Sequence, residues 1–198
     1  MLSDSLHVSF PTQMFDNKSA ICIKKRLPNF CLSDIYMFED EFSYTDLVFL
    51  SCGVNDMSRY GWTASKLFSY IQELLTAYRT RFPKTKFIFN SVLLTKLKWL
   101  NSEVNRLNEL IFNFSLVANS NLYFFDSHHI AATLASEGYQ VIETSSRRAN
   151  GVHITYDVTR EIRAVITRCL SEWCGLNFPV LKQVWPLRPN FRQRVDIR

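Results

Sequence analysis

The sequence predicts a three-layer α/β/α domain built around a parallel central sheet of about five strands. Three observations point there. Short apolar runs bounded by polar residues recur at 46–51 (DLVFLS), 86–92 (KFIFNSV) and 121–126 (NLYFFD), as strands buried on both faces do. Amphipathic helical stretches separate them, which is the alternation of βαβ units with helices on both sides of the sheet. The chain has 198 residues, 47% of them hydrophobic and sixteen of them Phe, enough for one domain with an aromatic-rich core.

Along the chain, 19–24 (SAICIK) supplies a further strand. From Thr63 to Phe82 the positions Leu67, Ile71, Leu74, Leu75 and Tyr78 recur at helical steps, and Pro83 marks the stop. Val104, Leu107, Leu110, Ile111, Phe114 and Val117 repeat the pattern over 101–118, and Val158, Ile162, Val165, Ile166 and Leu170 over 155–173. The aromatic residues Phe112, Phe114, Tyr123, Phe124 and Phe125 fall in these periodic segments and are expected in the core. Pro179, Pro186 and Pro189 then break periodicity, so the domain is expected over 1–178 and a basic Pro/Arg-containing tail over 179–198.

The formal net charge is +5, but Lys182, Arg188, Arg192, Arg194 and Arg198 against Asp196 place +4 of it in the tail. Such a tail suits contact with nucleic acid or an acidic membrane surface, with a solvated terminus as the plain alternative. No apolar run approaches the roughly 18–20 residues that span a bilayer, and Met1-Leu2-Ser3-Asp4 has neither the charge nor the length of a leader. Cys22, Cys31, Cys52, Cys169 and Cys174 are odd in number and form no C-x-x-C pair. They suit reduced thiols and an intracellular, cytoplasmic setting.

Three short blocks carry chemistry: Ser3-Asp4-Ser5-Leu6, Gly53-Val54-Asn55-Asp56 and Asn150-Gly151-Val152-His153. Ser5 follows the first expected strand, Asn55 follows the 46–51 strand, and His153 enters the last helix. All three therefore fall beyond the carboxyl ends of the strands, where open parallel sheets gather their functional groups. Ester hydrolysis needs a nucleophilic oxygen, a base and donors for the developing oxyanion. Ser5, His153, and the Asn55 amide with the Ser5 backbone N–H supply one of each. The plainer alternatives are a frayed terminus for Ser5, turn chemistry for Gly53–Asp56, and a polar loop for His153. His128 and His129 stand beside Asp126, but adjacent residues point apart and no ligand cluster accompanies them, so a structural role is expected and no metal.

In order and spacing the blocks resemble those of the SGNH or GDSL hydrolase superfamily, which begin with Gly-Asp-Ser, carry Gly-x-Asn-Asp and end in Asp-x-x-His. The resemblance covers residues 3 to about 173 and is closest in style to the compact esterase-like domains of retroelement proteins. It implies a flavodoxin-like sheet, hydrolysis of a small-molecule or lipid ester of an acetyl or short acyl group, and no metal or organic cofactor. Ser5 would be the nucleophile and His153 the base, with an oxyanion hole of Ser5, Asn29 and Asn55 and with Asp4, Gly53 and Asp56 as motif support. Four departures stand out. Ser3 replaces the first Gly, and Asn29 in Leu27-Pro28-Asn29-Phe30 replaces the Gly of the second block. Asn150 stands where the family has the Asp that orients the histidine; in a serine protease triad that exchange lowers turnover about 10⁴-fold. Only Met1 and Leu2 precede the first block, so the first strand is expected to be truncated. The alternative function is a catalytically degenerate SGNH-fold module that binds nucleic acid or a protein partner. Substrate choice is expected to rest on loops at 58–62 and 136–149.

Overall fold

A computed structural model describes residues 2–3, 25–26, 30–117, 122–142 and 154–174. In chain order these form β1 (Leu2–Ser3), β2 (Lys25–Arg26), a 3-10 helix (Leu32–Phe38) running into α1 (Glu39–Phe42), β3 (Leu47–Ser51), α2 (Val54–Tyr60), α3 (Ala64–Arg81), β4 (Lys86–Asn90), α4 (Lys98–Ser115), β5 (Leu122–Phe125), α5 (Ser127–Ser136) and α6 (Tyr156–Cys174). The body of the sheet is β3, β4 and β5, paired in parallel with Val48 opposite Phe87 and Phe89 opposite Phe124. The two-residue strands extend it in the order β2-β1-β3-β4-β5, with Ser3 opposite Ser51.

The period of two along the strands sorts side chains into two cores. Val48, Leu50, Phe87 and Phe89 face α3 and α4, packing with Leu67, Ile71, Leu75, Leu100, Val104, Leu107 and Ile111. Phe49, Ile88 and Phe125 face the other way, against Ala131 and Leu134 of α5 and Val158, Ile162, Val165 and Ile166 of α6. This is the expected three-layer arrangement, and each fully buried aliphatic or Phe side chain contributes about 1.5–3 kcal/mol. An aromatic knot locks one end of the first core: Phe42 meets Tyr78, Phe82 and Phe87 edge-on, with ring centroids 5.5, 5.6 and 5.8 Å apart. Such pairs add about 0.5–1.5 kcal/mol each beyond the area they bury.

The expected helix at 63–82 is α3, capped by the Thr63 hydroxyl accepting from the Lys66 N–H at 3.2 Å and ending just before Pro83. Other expectations are corrected. α4 starts at Lys98, a turn earlier than periodicity places it, and stops at Ser115, leaving Val117 56% exposed. Phe112 and Tyr123, expected in the core, are 41% and 44% exposed. Tyr123 lies on β5, the last strand of the sheet order, where a side chain has a neighbouring strand on one side alone. Residues 58–60 of the expected substrate loop belong instead to α2, which closes at Gly61 in the left-handed conformation. The further strand expected at 19–24 lies outside the described residues.

Candidate active site

The turn after β3 is dictated by sterics. Gly53 has φ of +121°, and a Cβ there would lie 3.2 Å from Cγ2 of Val92 and 3.6 Å from the Cδ2 atoms of Leu67 and Leu107. A side chain there would be strained by the positive φ and would crowd Val92, both of which glycine avoids. The turn delivers Asn55 to the first turn of α2, half-buried, where its Nδ2 donates to the Phe30 carbonyl at 3.0 Å. A primary amide carries two hydrogens, and among the described residues the second meets no acceptor.

Asp56 faces inward and is 1% exposed. Its carboxylate accepts from the Leu32 N–H at 3.0 Å to Oδ1 and 3.1 Å to Oδ2. Burial pushes its pKa above the ordinary carboxylate range, opposed by the Leu32 N–H and reinforced by the charge of Asp34. Asp34 in turn accepts from the Cys31 N–H at 3.0 Å. Asn55 and Asp56 thus fasten the backbone of Phe30–Leu32 onto the Gly53–Asp56 turn.

A second polar group, which sequence reasoning missed, underlies the carboxyl ends of β3, β4 and β5. Asn90 donates through Nδ2 to the Ser51 hydroxyl at 3.1 Å and accepts from the Ser127 hydroxyl, all three side chains being buried. Ser91 accepts from the His128 N–H at 2.7 Å. Asn108, on α4, accepts from the Val92 N–H and donates to the Val92 carbonyl, both at 2.8 Å, and its Nδ2 lies 3.3 Å from His128 Nδ1. Burial lowers the His128 pKa; the charge of Asp126 opposes this and that of His129 adds to it. One signal was available: Asn108 lies four residues after Val104 and three before Ile111, on the stripe that faces the core.

Of the predicted site residues, Gly53, Asn55 and Asp56 are brought together as described. Asp4, Ser5, Asn29, Asn150, His153 and the whole 179–198 tail lie outside the described residues. Ser3, the described residue before Asp4 and Ser5 in the chain, pairs beside Ser51 at the end of β3, and Ile154, next to His153, is buried and bridged antiparallel to Ile142 before α6. His128 and His129 serve the start of α5: His128 engages Asn108, and the His129 N–H donates to the Asp126 carboxylate at 3.0 Å. No helix among the described residues is long and apolar enough to cross a membrane.

No family model and no curated protein sequence matches the chain. Solved structures do. A member of the lipolytic G-D-S-L family from Veillonella parvula superposes with a TM-score of 0.61 at 17% identity, over 83% of this chain and 94% of that one. An acetyl esterase mutant crystallised with an acetate ion gives 0.58 at 18% identity, over 78% and 73% of the two chains. A carbohydrate esterase of family 3 from Talaromyces cellulolyticus gives 0.57 at 16%, over 79% and 73%. At such identities a likeness speaks for architecture. The parallel sheet, its covering helices and the glycine turn that presents Asn55 give this chain an SGNH/GDSL hydrolase-like fold.

Proposed function

We propose that the chain hydrolyses a carboxylic ester of an acetyl or other short acyl group, with Ser5 as nucleophile and His153 as base. Ser5 Oγ attacks the carbonyl carbon while its proton passes to His153. The tetrahedral oxyanion accepts from the Asn55 amide and the backbone N–H groups of Ser5 and Asn29. Collapse expels the alcohol, which takes the proton from His153 and leaves an acyl-serine. Water, deprotonated by His153, then releases the acid and restores Ser5. No step calls on a metal or organic cofactor. Asn150 takes the place of the orienting carboxylate, so it holds the imidazole without stabilising its charge.

The observation that carries this reading is the Asn55 amide, anchored through one hydrogen to the Phe30 carbonyl at 3.0 Å, on a fold like those of the esterases above. The register of Ser3 beside Ser51 supports it, since Ser5 follows two residues later in the chain. Hydrolysis of p-nitrophenyl acetate tests it. Wild type should exceed Ser5→Ala, and Asn150→Asp should raise kcat. Equal rates for wild type and Ser5→Ala would refute the mechanism. The departure at Asn150 favours a second reading, a binding module without turnover; it predicts that Asn150→Asp restores no hydrolysis.

A further inference from the structure

Asn108 makes an unusual use of a helix position. It is 8% exposed, and its side-chain amide pairs with both the N–H and the carbonyl of one residue, Val92, as a neighbouring strand would. The pairing fixes the amide, because flipping it would set its NH₂ against the Val92 N–H. With Nδ2 thereby the donor toward His128, Nδ1 of that ring is the acceptor and the neutral imidazole carries its proton on Nε2. Asn108 therefore ties α4, α5 and the first residues after β4 into one unit. The consequence lies one contact further on. Val92 Cγ2 is the atom 3.2 Å from where a Gly53 Cβ would stand, and Gly53 sets the turn that delivers Asn55.

We propose that Asn108 is a positioning residue for Asn55, acting through the Val92 side chain on the Gly53 turn. This rests on the reading of Asn55 as an oxyanion donor. Packed interiors transmit small displacements, so a shift of Val92 moves the Asn55 amide relative to the reacting carbonyl. Asn101, seven residues earlier on α4, provides an internal control. It clasps Thr95 in the same manner, accepting from its N–H and donating to its carbonyl, both at 2.9 Å. Its partner is three residues further along the loop than Val92.

The test combines side-chain amide NMR with kinetics. Asn108→Asp keeps the acceptor for the Val92 N–H but replaces the donors with a carboxylate, which turns His128 Nδ1 into a donor. The Asn55 side-chain amide resonances should move, and His128 should show a protonated Nδ1 at neutral pH. The kcat for p-nitrophenyl acetate should fall about tenfold to a hundredfold with KM held within about twofold, the pattern of a misplaced transition-state donor. Val92→Ala leaves the backbone groups of the Asn108 clasp in place and trims the core side chain that packs beside the Gly53 turn; it should reproduce the Asn55 shift and decides the matter if Asn108→Asp does not fold. Asn101→Ala should leave both the Asn55 resonances and kcat unchanged. Unmoved Asn55 resonances in Val92→Ala, or an equal shift in Asn101→Ala, would overturn the proposal. If wild type hydrolyses no ester, the catalytic reading falls by itself and the Asn55 resonances still decide the coupling.

Discussion

Asn55 and Asn108 carry the same side chain into opposite circumstances. Asn55 is half-buried in the first turn of α2 and commits one amide hydrogen, to the Phe30 carbonyl, among the described residues. Asn108 is buried in α4 and directs both amide hydrogens and its carbonyl oxygen at partners fixed by the fold. A donor held by one bond and still partly open can meet charge that develops on a substrate, while a saturated one can only hold geometry. The molecule places the second behind the first, with Val92 and Gly53 between them.

That contrast can be broken at each end. The largest effect should come from Asn55→Ala. Loss of one oxyanion donor lowers kcat by about 10²–10³, while loss of the bond to Phe30 costs about 0.5–1.5 kcal/mol of stability; ester kinetics beside thermal melting separates the two. Asn108→Ala should show the reverse emphasis in a urea titration, losing about 2–4 kcal/mol because the buried Val92 N–H and carbonyl are left without partners. Gly53→Ala comes next, at about 1–3 kcal/mol, from a side chain forced into positive φ and against Val92. An unchanged melting temperature there would show that the turn carries no strain.

The smallest effect is one of pH, at Asp56. Its folded pKa is raised by burial, so the folded state binds this proton more tightly than the unfolded chain. The stabilisation is therefore complete below the unfolded value, about 4, and is lost as pH rises through the folded one. Asp56→Asn cannot titrate. The wild type's advantage over it should be greatest near pH 4 and shrink toward neutrality in urea titrations; an advantage that grows with pH would contradict the buried-carboxylate account.

Much of this was legible in the sequence, for identifiable reasons. The strands at 46–51, 86–92 and 121–126 declared themselves because both faces of β3 and β4 are covered, so their apolar runs are unbroken. α3 was readable from its stripe, its Thr63 cap and Pro83. α5 escaped because the residues it buries, Ser127, Ala131, Ala132 and Leu134, are mostly small and make no recognisable stripe. Phe112 and Tyr123 were misplaced because periodicity identifies a face without saying whether another element covers it. In the site, Gly53, Asn55 and Asp56 are contiguous and formed a motif. Asn108 reaches Val92 and His128 across sixteen and twenty residues, and no local pattern encodes such a meeting.

The central claim, that Ser5 is an activated nucleophile served by Asn55, is tested most directly by intact-protein and peptide mass spectrometry after treatment with a fluorophosphonate. The account predicts one adduct, on Ser5, absent from Ser5→Ala and formed more slowly in Asn55→Ala. A folded wild-type protein that takes up no probe, or an adduct that persists in Ser5→Ala, would contradict it.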